Sequence, residues 1–161
     1  MLRTKLLEGL DPLRHDQVIA RFTTRQTFAA GQPIVLKGDE GTALFIVLLG
    51  GARIRLGDFE VDFLPGDVLG EIAFLDGQPR SVKITATVDG TEIASLSRET
   101  MDTISRVEPQ LAMLIFKNLG IGLASHLRQT NEQLLALGGR ERNALTKKAP
   151  GLLHFLTGLV H

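Results

Sequence analysis

The apolar positions of this chain change period twice. Asp11 and Pro12 open the first regular stretch: an aspartate accepts from the free amides of a first helical turn, and proline has no amide to lose there. Leu13, Val18, Ile19 and Phe22 follow at helical spacing, which predicts a helix to about Phe22. From Arg25 to Leu96 the texture shortens. Runs rich in Val, Ile, Phe and Thr alternate with turn residues about every eight to twelve positions. The turns are Ala30-Gly31-Gln32-Pro33, Lys37-Gly38-Asp39-Glu40-Gly41, Gly50-Gly51, Gly57-Asp58, Pro65-Gly66-Asp67 and Asp89-Gly90. Between them lie candidate strands near 26–29, 34–36, 43–49, 52–56, 59–63, 82–88 and 91–97. That rhythm reads as an all-β barrel, sandwich or jelly roll. One piece breaks it: Glu71-Ile72-Ala73-Phe74-Leu75, closed by Asp76-Gly77, suits a single helical turn with a glycine stop.

After Ser97 the pattern is helical again. Arg98 to Val107 predicts a short helix, Glu108-Pro109 restarts the chain, and a long helix runs from about 109 to 137, where Gly138-Gly139 ends it. At about 1.5 Å per residue it reaches roughly 40 Å, more than a small barrel covers. Phe116, Leu119, Leu123, Leu127, Leu134 and Leu137 recur three or four apart, with Thr130 filling the gap. This is close to a coiled-coil seam with one polar position, and it predicts a homodimer through the long helix. The alternative is that the stripe packs on its own barrel. Gly120 and Gly122 each cost about 1 kcal/mol in a helix interior, so close approach by another chain segment is expected there.

Domain boundaries are expected at 1–137 for the roll and its helices and at 138–161 for a tail. Arg140, Arg142, Lys147 and Lys148 in that tail precede the apolar stretch from Gly151 to Val160. Such a segment folds back on its own domain, or meets a membrane surface or a protein partner's groove.

Composition narrows the function. No cysteine occurs among the 161 residues, which removes disulfides, thiolate nucleophiles and thiolate-held zinc, and fits a cytoplasmic setting. With 18 basic and 18 acidic residues the net charge is zero, so no direct nucleic-acid binding is expected. No apolar run approaches the roughly 18 residues of a membrane span, and Met1 to Leu7 lack the apolar core of a signal peptide. His15, His126, His154 and His161 all lie outside the strand-rich region, so a cupin-type metal site is not expected. There is neither a phosphate-binding Gly-x-x-x-x-Gly-Lys loop nor a Gly-x-Ser-x-Gly elbow. The expectation is a non-enzyme with no catalytic residue, metal or cofactor.

The informative stretch runs from Phe63 to Ser81. It sets Gly70 and Glu71 at the start of the one-turn helix, then turns back through Pro79-Arg80-Ser81. Free amides at a helix start favour an anion, and Gly70 lets it approach the backbone. Arg80 offers a two-pronged contact to paired phosphate oxygens, and Ser81 one more donor. A carboxylate in a phosphate site makes sense if Glu71 accepts from a neighbouring sugar hydroxyl. A ribose phosphate meets that requirement.

This stretch resembles the phosphate-binding cassette of the cyclic nucleotide-binding domain family, of the catabolite activator type. Gly70-Glu71-Ile72-Ala73-Phe74-Leu75 and Pro79-Arg80-Ser81 carry the resemblance. Phe28 to Ile34, Lys37 to Gly41, Leu44 to Val47 and Gly50 extend it over about residues 8 to 137. The resemblance implies an α+β fold: an antiparallel β-roll (double-stranded β-helix or jelly roll) flanked by an N-terminal helix and a long C-terminal helix. It also implies a ligand, cyclic AMP ahead of cyclic GMP. By the resemblance Glu71 holds the ribose 2′-hydroxyl, Arg80 the cyclic phosphate and Ser81 the phosphate or base, assisted by backbone amides of Gly70, Ile72 and Ala73. Val82 and Lys83 depart from the family's usual small and hydroxyl residues, which bears on base selectivity. Thr130 and Asn131 sit where the family's long helix places two base-contacting hydroxyl residues; a polar residue that sets coiled-coil register is the other reading of Thr130. The expected function is a stand-alone sensor signalling through its C-terminal helix. A degenerate interaction module, or the sensor part of a larger transcription regulator or channel, is the alternative.

Overall fold

The computed structural model describes residues 3–136, and its strands form two four-stranded antiparallel sheets. The first helix, α1 (Pro12–Phe22), begins as its residues dictate: the Asp11 carboxylate accepts from Arg14 N at 3.0 Å, with proline in the first turn. Its buried face is His15, Val18, Ile19 and Phe22, whereas Leu13 is 68% exposed. The apolar stripe is therefore corrected at one position. His15 takes the inner place because Thr4 N donates to its Nε2 at 3.0 Å, so the ring is buried with a partner.

Eight strands follow the turns. They are β1 (Thr24–Phe28), β2 (Pro33–Val35), β3 (Ala43–Leu49), β4 (Ala52–Leu56), β5 (Phe59–Phe63), β6 (Val68–Leu69), β7 (Ile84–Ala86) and β8 (Thr91–Ser97). One sheet has the order β1-β8-β3-β6 and the other β2-β7-β4-β5. This is the antiparallel β-roll with its flanking helices. Period-two alternation splits the core into two layers. Leu44, Ile46, Ala94 and Leu96 face the helices, where they meet Leu6, Val18, Phe22, Ile104 and Ile115. Val47 and Ile93, on the other face of the same strands, join Phe28, Val35, Ala52, Leu69, Ile84 and Ala86 between the sheets. On the far face of the β4–β5 pair, Arg53 binds Asp62 twice, at 2.5 and 2.9 Å, and Glu60 at 2.8 Å.

Two further helices lead out of the roll. The Ser97 hydroxyl caps α3 (Arg98–Val107) by accepting from Thr100 N at 3.0 Å. At the break before α4 (Pro109–Ala136), Glu108 accepts from Arg14 and, at 3.0 Å, from Arg21, both on α1. Asn118 Nδ2 donates to Leu6 O and Glu8 O at 3.0 and 2.9 Å, tying the N-terminal segment to α4.

The described residues fall into two units that divide between Leu119 and Gly120. Leu119 belongs to the core of the first, buried with Leu111, Ala112 and Ile115. It is therefore not on an open seam, whereas Phe116 is 44% exposed. In the second unit Leu123, Leu127, Thr130 and Leu134 are half-buried. A Cβ built at Gly120 or Gly122 meets nothing within 4 Å, so the close approach expected there is not made by any of the described residues. Leu137 and the 138–161 tail lie outside the described residues. Among the described residues no helix is long and apolar enough to cross a membrane.

Candidate functional site

The site grows from two backbone hydrogen bonds. Arg80 N donates to Asp39 O and Gly38 N donates to Arg80 O, both at 2.8 Å, which fixes residue 80 against the turn after β2. That turn is held in its own right, since the Asp39 carboxylate accepts from Leu36 N at 2.9 Å. From this anchor the Arg80 side chain runs inward and is only 5% exposed. Its Nη1 donates to Gly70 O at 2.7 Å and its Nη2 donates to Ala43 O. Its Cζ lies 5.2 Å from the centre of the Phe45 ring.

Burial pushes the Arg80 guanidinium below its ordinary pKa. Asp39 and Glu71 push it back up, and Arg98 pushes it down again. Arginine keeps its charge in such a setting. The result is a buried cation whose strongest bonds run to neutral carbonyls, an arrangement that a bound anion relieves.

The one-turn helix α2 (Glu71–Asp76) sits against it. Gly70 caps its start at φ +73°, and a Cβ there would fall on Arg80 Nη1. Only glycine meets both demands. Phe74 N makes the first bond of the helix, to Gly70 O at 3.1 Å, so the amides of Ile72 and Ala73 have no acceptor within it. Gly77, at φ +73°, ends the helix as the sequence predicts.

The sequence reading missed what holds α2 in place. Arg98 donates through Nη2 to Gly41 O, Ala73 O and Phe74 O at 2.9, 3.2 and 2.7 Å. Gly41 lies so close to α2 that a Cβ on it would strike the Ala73 carbonyl. One signal in the sequence did point to Arg98. A cation in the first turn of α3 opposes the helix dipole, so its place there calls for a partner elsewhere.

Gly70, Glu71 and Arg80 are thus brought together, with Glu71 half-buried and near enough to act on the Arg80 charge. Ala73 is buried, Ile72 is 42% exposed, Ser81 is exposed, and Val82 packs on the core between the sheets. Thr130 and Asn131 belong to the second unit, where the Thr130 hydroxyl donates to His126 O at 2.9 Å and Asn131 is exposed. A partly open cavity of about 210 Å³ beside β1, β3 and β8 has Arg25 and Phe45 in its wall, but not Glu71, Arg80 or Ser81.

Comparison with known proteins places this geometry. The profile of the cyclic nucleotide-binding domain family matches residues 25–106, just over half of the chain. The chain belongs to that family. The matched region takes in both sheets, the Gly70-Glu71 elbow, Arg80 and most of α3. Among its relatives, the cyclic AMP receptor protein of Thermus thermophilus is 33% identical over 97% of this chain and 71% of that protein. A cGMP-dependent protein kinase of Toxoplasma gondii is 39% identical over 63% of this chain, which spans 10% of the kinase. The solved catabolite activator protein of Thermus thermophilus superposes with a TM-score of 0.69 at 33% identity, covering 83% of this chain and 63% of that one. This chain therefore carries a cyclic nucleotide-binding regulatory domain with the fold of the catabolite activator.

Proposed function

We propose that the chain is a non-catalytic sensor that binds cyclic AMP, and cyclic GMP less well, with Arg80 on the cyclic phosphate and Glu71 on the ribose 2′-hydroxyl. The observation that carries this is the buried guanidinium at the Gly70 elbow. Of its five N–H donors, one goes to Gly70 O and one to Ala43 O. Three remain for the oxygens of a singly charged diester. First-turn amides of α2, with Ser81 exposed at the far end of the cassette, supply further donors. Val82 narrows the wall on the core side. The preference for cyclic AMP is supported by the receptor named for it, which aligns along nearly the whole chain, whereas the cGMP-dependent kinase aligns with 63% of it.

Glu71→Ala provides the test. Loss of a charged hydrogen bond costs about 1.5–3 kcal/mol, roughly ten- to a hundredfold in Kd. In competition against a fluorescent cyclic AMP, the variant is expected to lose that much for cyclic AMP and little for 2′-deoxy cyclic AMP. Equal losses for the two nucleotides would remove the ribose role from Glu71.

Output through the long helix belongs to the same proposal. A ligand with unequal affinity for two positions of a helix shifts their populations, and α4 follows the domain directly. We place a second copy of the chain on α4, where Leu123, Leu127, Thr130 and Leu134 recur three or four residues apart. The open space around Gly120 and Gly122 makes this checkable. In an isolated helix Gly→Ala gains about 1 kcal/mol per site. Across a close helix pair it blocks contact. Sedimentation of the G120A/G122A double variant is expected to show a dimer dissociation constant raised at least tenfold together with higher helicity. An unchanged constant would place the interface elsewhere. The absence of cysteine supports a cytoplasmic setting.

A further inference from the structure

We infer that Arg98 is a positioning residue for the nucleotide site: it pins the far end of α2, the helix turns about that pin when an anion engages Arg80, and α3 feels the movement. This deepens the proposed nucleotide binding and rests on it.

Two arginines hold α2 from its two ends against one short segment, residues 41–43. At the start of α2, Arg80 Nη1 donates to Gly70 O at 2.7 Å while its Nη2 donates to Ala43 O. Further along α2, Arg98 Nη2 donates to Ala73 O and Phe74 O at 3.2 and 2.7 Å, and across to Gly41 O at 2.9 Å. The backbone amide of Arg98 takes the carbonyl between, Thr42 O, at 2.8 Å. Its Cζ lies 5.8 Å from the centre of the Phe74 ring. The three carbonyls of residues 41, 42 and 43 are thus bound by these two arginines alone in one continuous run. The two charges also meet. Burial does most to lower the Arg80 pKa and Asp39 and Glu71 raise it, but Arg98 lowers it further.

The two ends respond differently to a ligand. A diester at Arg80 competes with Gly70 O for the guanidinium, so binding loosens the start of α2. Arg98 stands outside the proposed contacts and keeps its carbonyls. The helix therefore turns about Ala73 and Phe74. Arg98 is also the first residue of α3, so a force on its side chain draws on the start of that helix. A single nitrogen of Arg98 makes all three side-chain contacts, with two hydrogens for three acceptors. An ammonium, with three hydrogens, satisfies the same oxygens.

Cyclic AMP titrations of the full ¹⁵N-labelled chain test this, with Arg98→Ala and Arg98→Lys, each shown folded by a thermal melt. Arg98 is exposed as a residue, so its truncation opens no hole in the core. Arg98→Met, which keeps the stem beside Phe74, takes the place of the alanine variant if that one does not fold. The alanine variant is expected to bind about tenfold more weakly, the lower bound for losing a hydrogen bond to a charged group. Guanidinium chloride well below denaturing concentration, set against sodium chloride of equal ionic strength, is expected to restore much of the loss. The lysine variant is expected to stay close to wild type. In both wild type and the lysine variant, the nucleotide should shift the amides of α2 and of Glu99 and Thr100 in α3. In the alanine variant the α2 shifts remain and the α3 shifts are lost. A purely structural role lowers the melting temperature and moves none of these readouts. Wild-type affinity in the folded alanine variant, or α3 shifts that persist in it, would overturn the inference and leave the nucleotide reading standing. No binding of cyclic AMP by the wild-type chain would overturn that reading and the inference with it.

Discussion

Replacing Arg80 with leucine is expected to weaken cyclic nucleotide binding by at least a hundredfold. Removing one partner of a buried charge pair costs about 3–5 kcal/mol, and each 1.4 kcal/mol is a factor of ten. The diester in the variant faces an apolar wall where a guanidinium stood. Arg80 also serves the fold, because it donates to Gly70 O and Ala43 O, and both acceptors lose that donor in the variant, Gly70 O keeping only Phe74 N. A stability loss of about 1–3 kcal/mol should therefore accompany the loss of binding. Arg80→Lys separates the two. It keeps the charge but cannot reach two carbonyls and a phosphate at once, so its affinity should fall between wild type and leucine. Calorimetric titration of each variant, after a thermal melt shows it folded, checks the order. A folded leucine variant with retained affinity would mean that the phosphate is held elsewhere.

The second large effect is expected at Gly41, far from the cassette in sequence. An alanine Cβ there collides with the Ala73 carbonyl, which belongs to backbone and cannot swing away. Either β3 or α2 must shift. Overpacking of this kind costs about 1–3 kcal/mol. Displacing α2 also spoils the Arg98 bonds to Gly41 O, Ala73 O and Phe74 O. Gly41→Ala should thus lower both stability and nucleotide affinity, the latter at least tenfold, although the proposed contacts do not include it. Urea unfolding and nucleotide titration of the same preparation check both. Wild-type affinity in a destabilised Gly41→Ala protein would show that the position of α2 does not govern binding.

Most of the fold was legible because its strands follow simple rules. β3, β4, β5 and β8 fall at their expected bounds, each bordered by glycine turns or the Ser97 cap; β3 and β8, buried on both faces, are marked by apolar runs rather than by alternation. The one-turn helix was legible because Gly70 and Gly77 bracket it. β6 was not, since two residues between a Pro-Gly-Asp turn and Gly70 carry no periodicity. β7 came out shorter than the run from 82 to 88, because the chain leaves the cassette through Val82 and Lys83 before it joins the sheet.

Where tertiary partners decide, sequence pattern misleads. Leu13 was placed inside α1 by spacing alone, but His15 takes that place because Thr4 supplies a donor eleven residues away. Leu119 fits a coiled-coil stripe and yet packs in the core with Ile115. Glu71 and Arg80 could be read as partners because their types and spacing fit one ligand. The clamp on α2 could not, since Arg98 and Gly41 act through backbone carbonyls, and a carbonyl leaves no mark on residue identity.

The most direct test is an isothermal titration of the full chain with cyclic AMP, repeated with cyclic GMP. One saturable site per chain is expected, tighter for cyclic AMP, together with thermal stabilisation that approaches about 2.7 kcal/mol at a hundred times Kd. No heat and no stabilisation with either nucleotide at millimolar concentration would contradict the account.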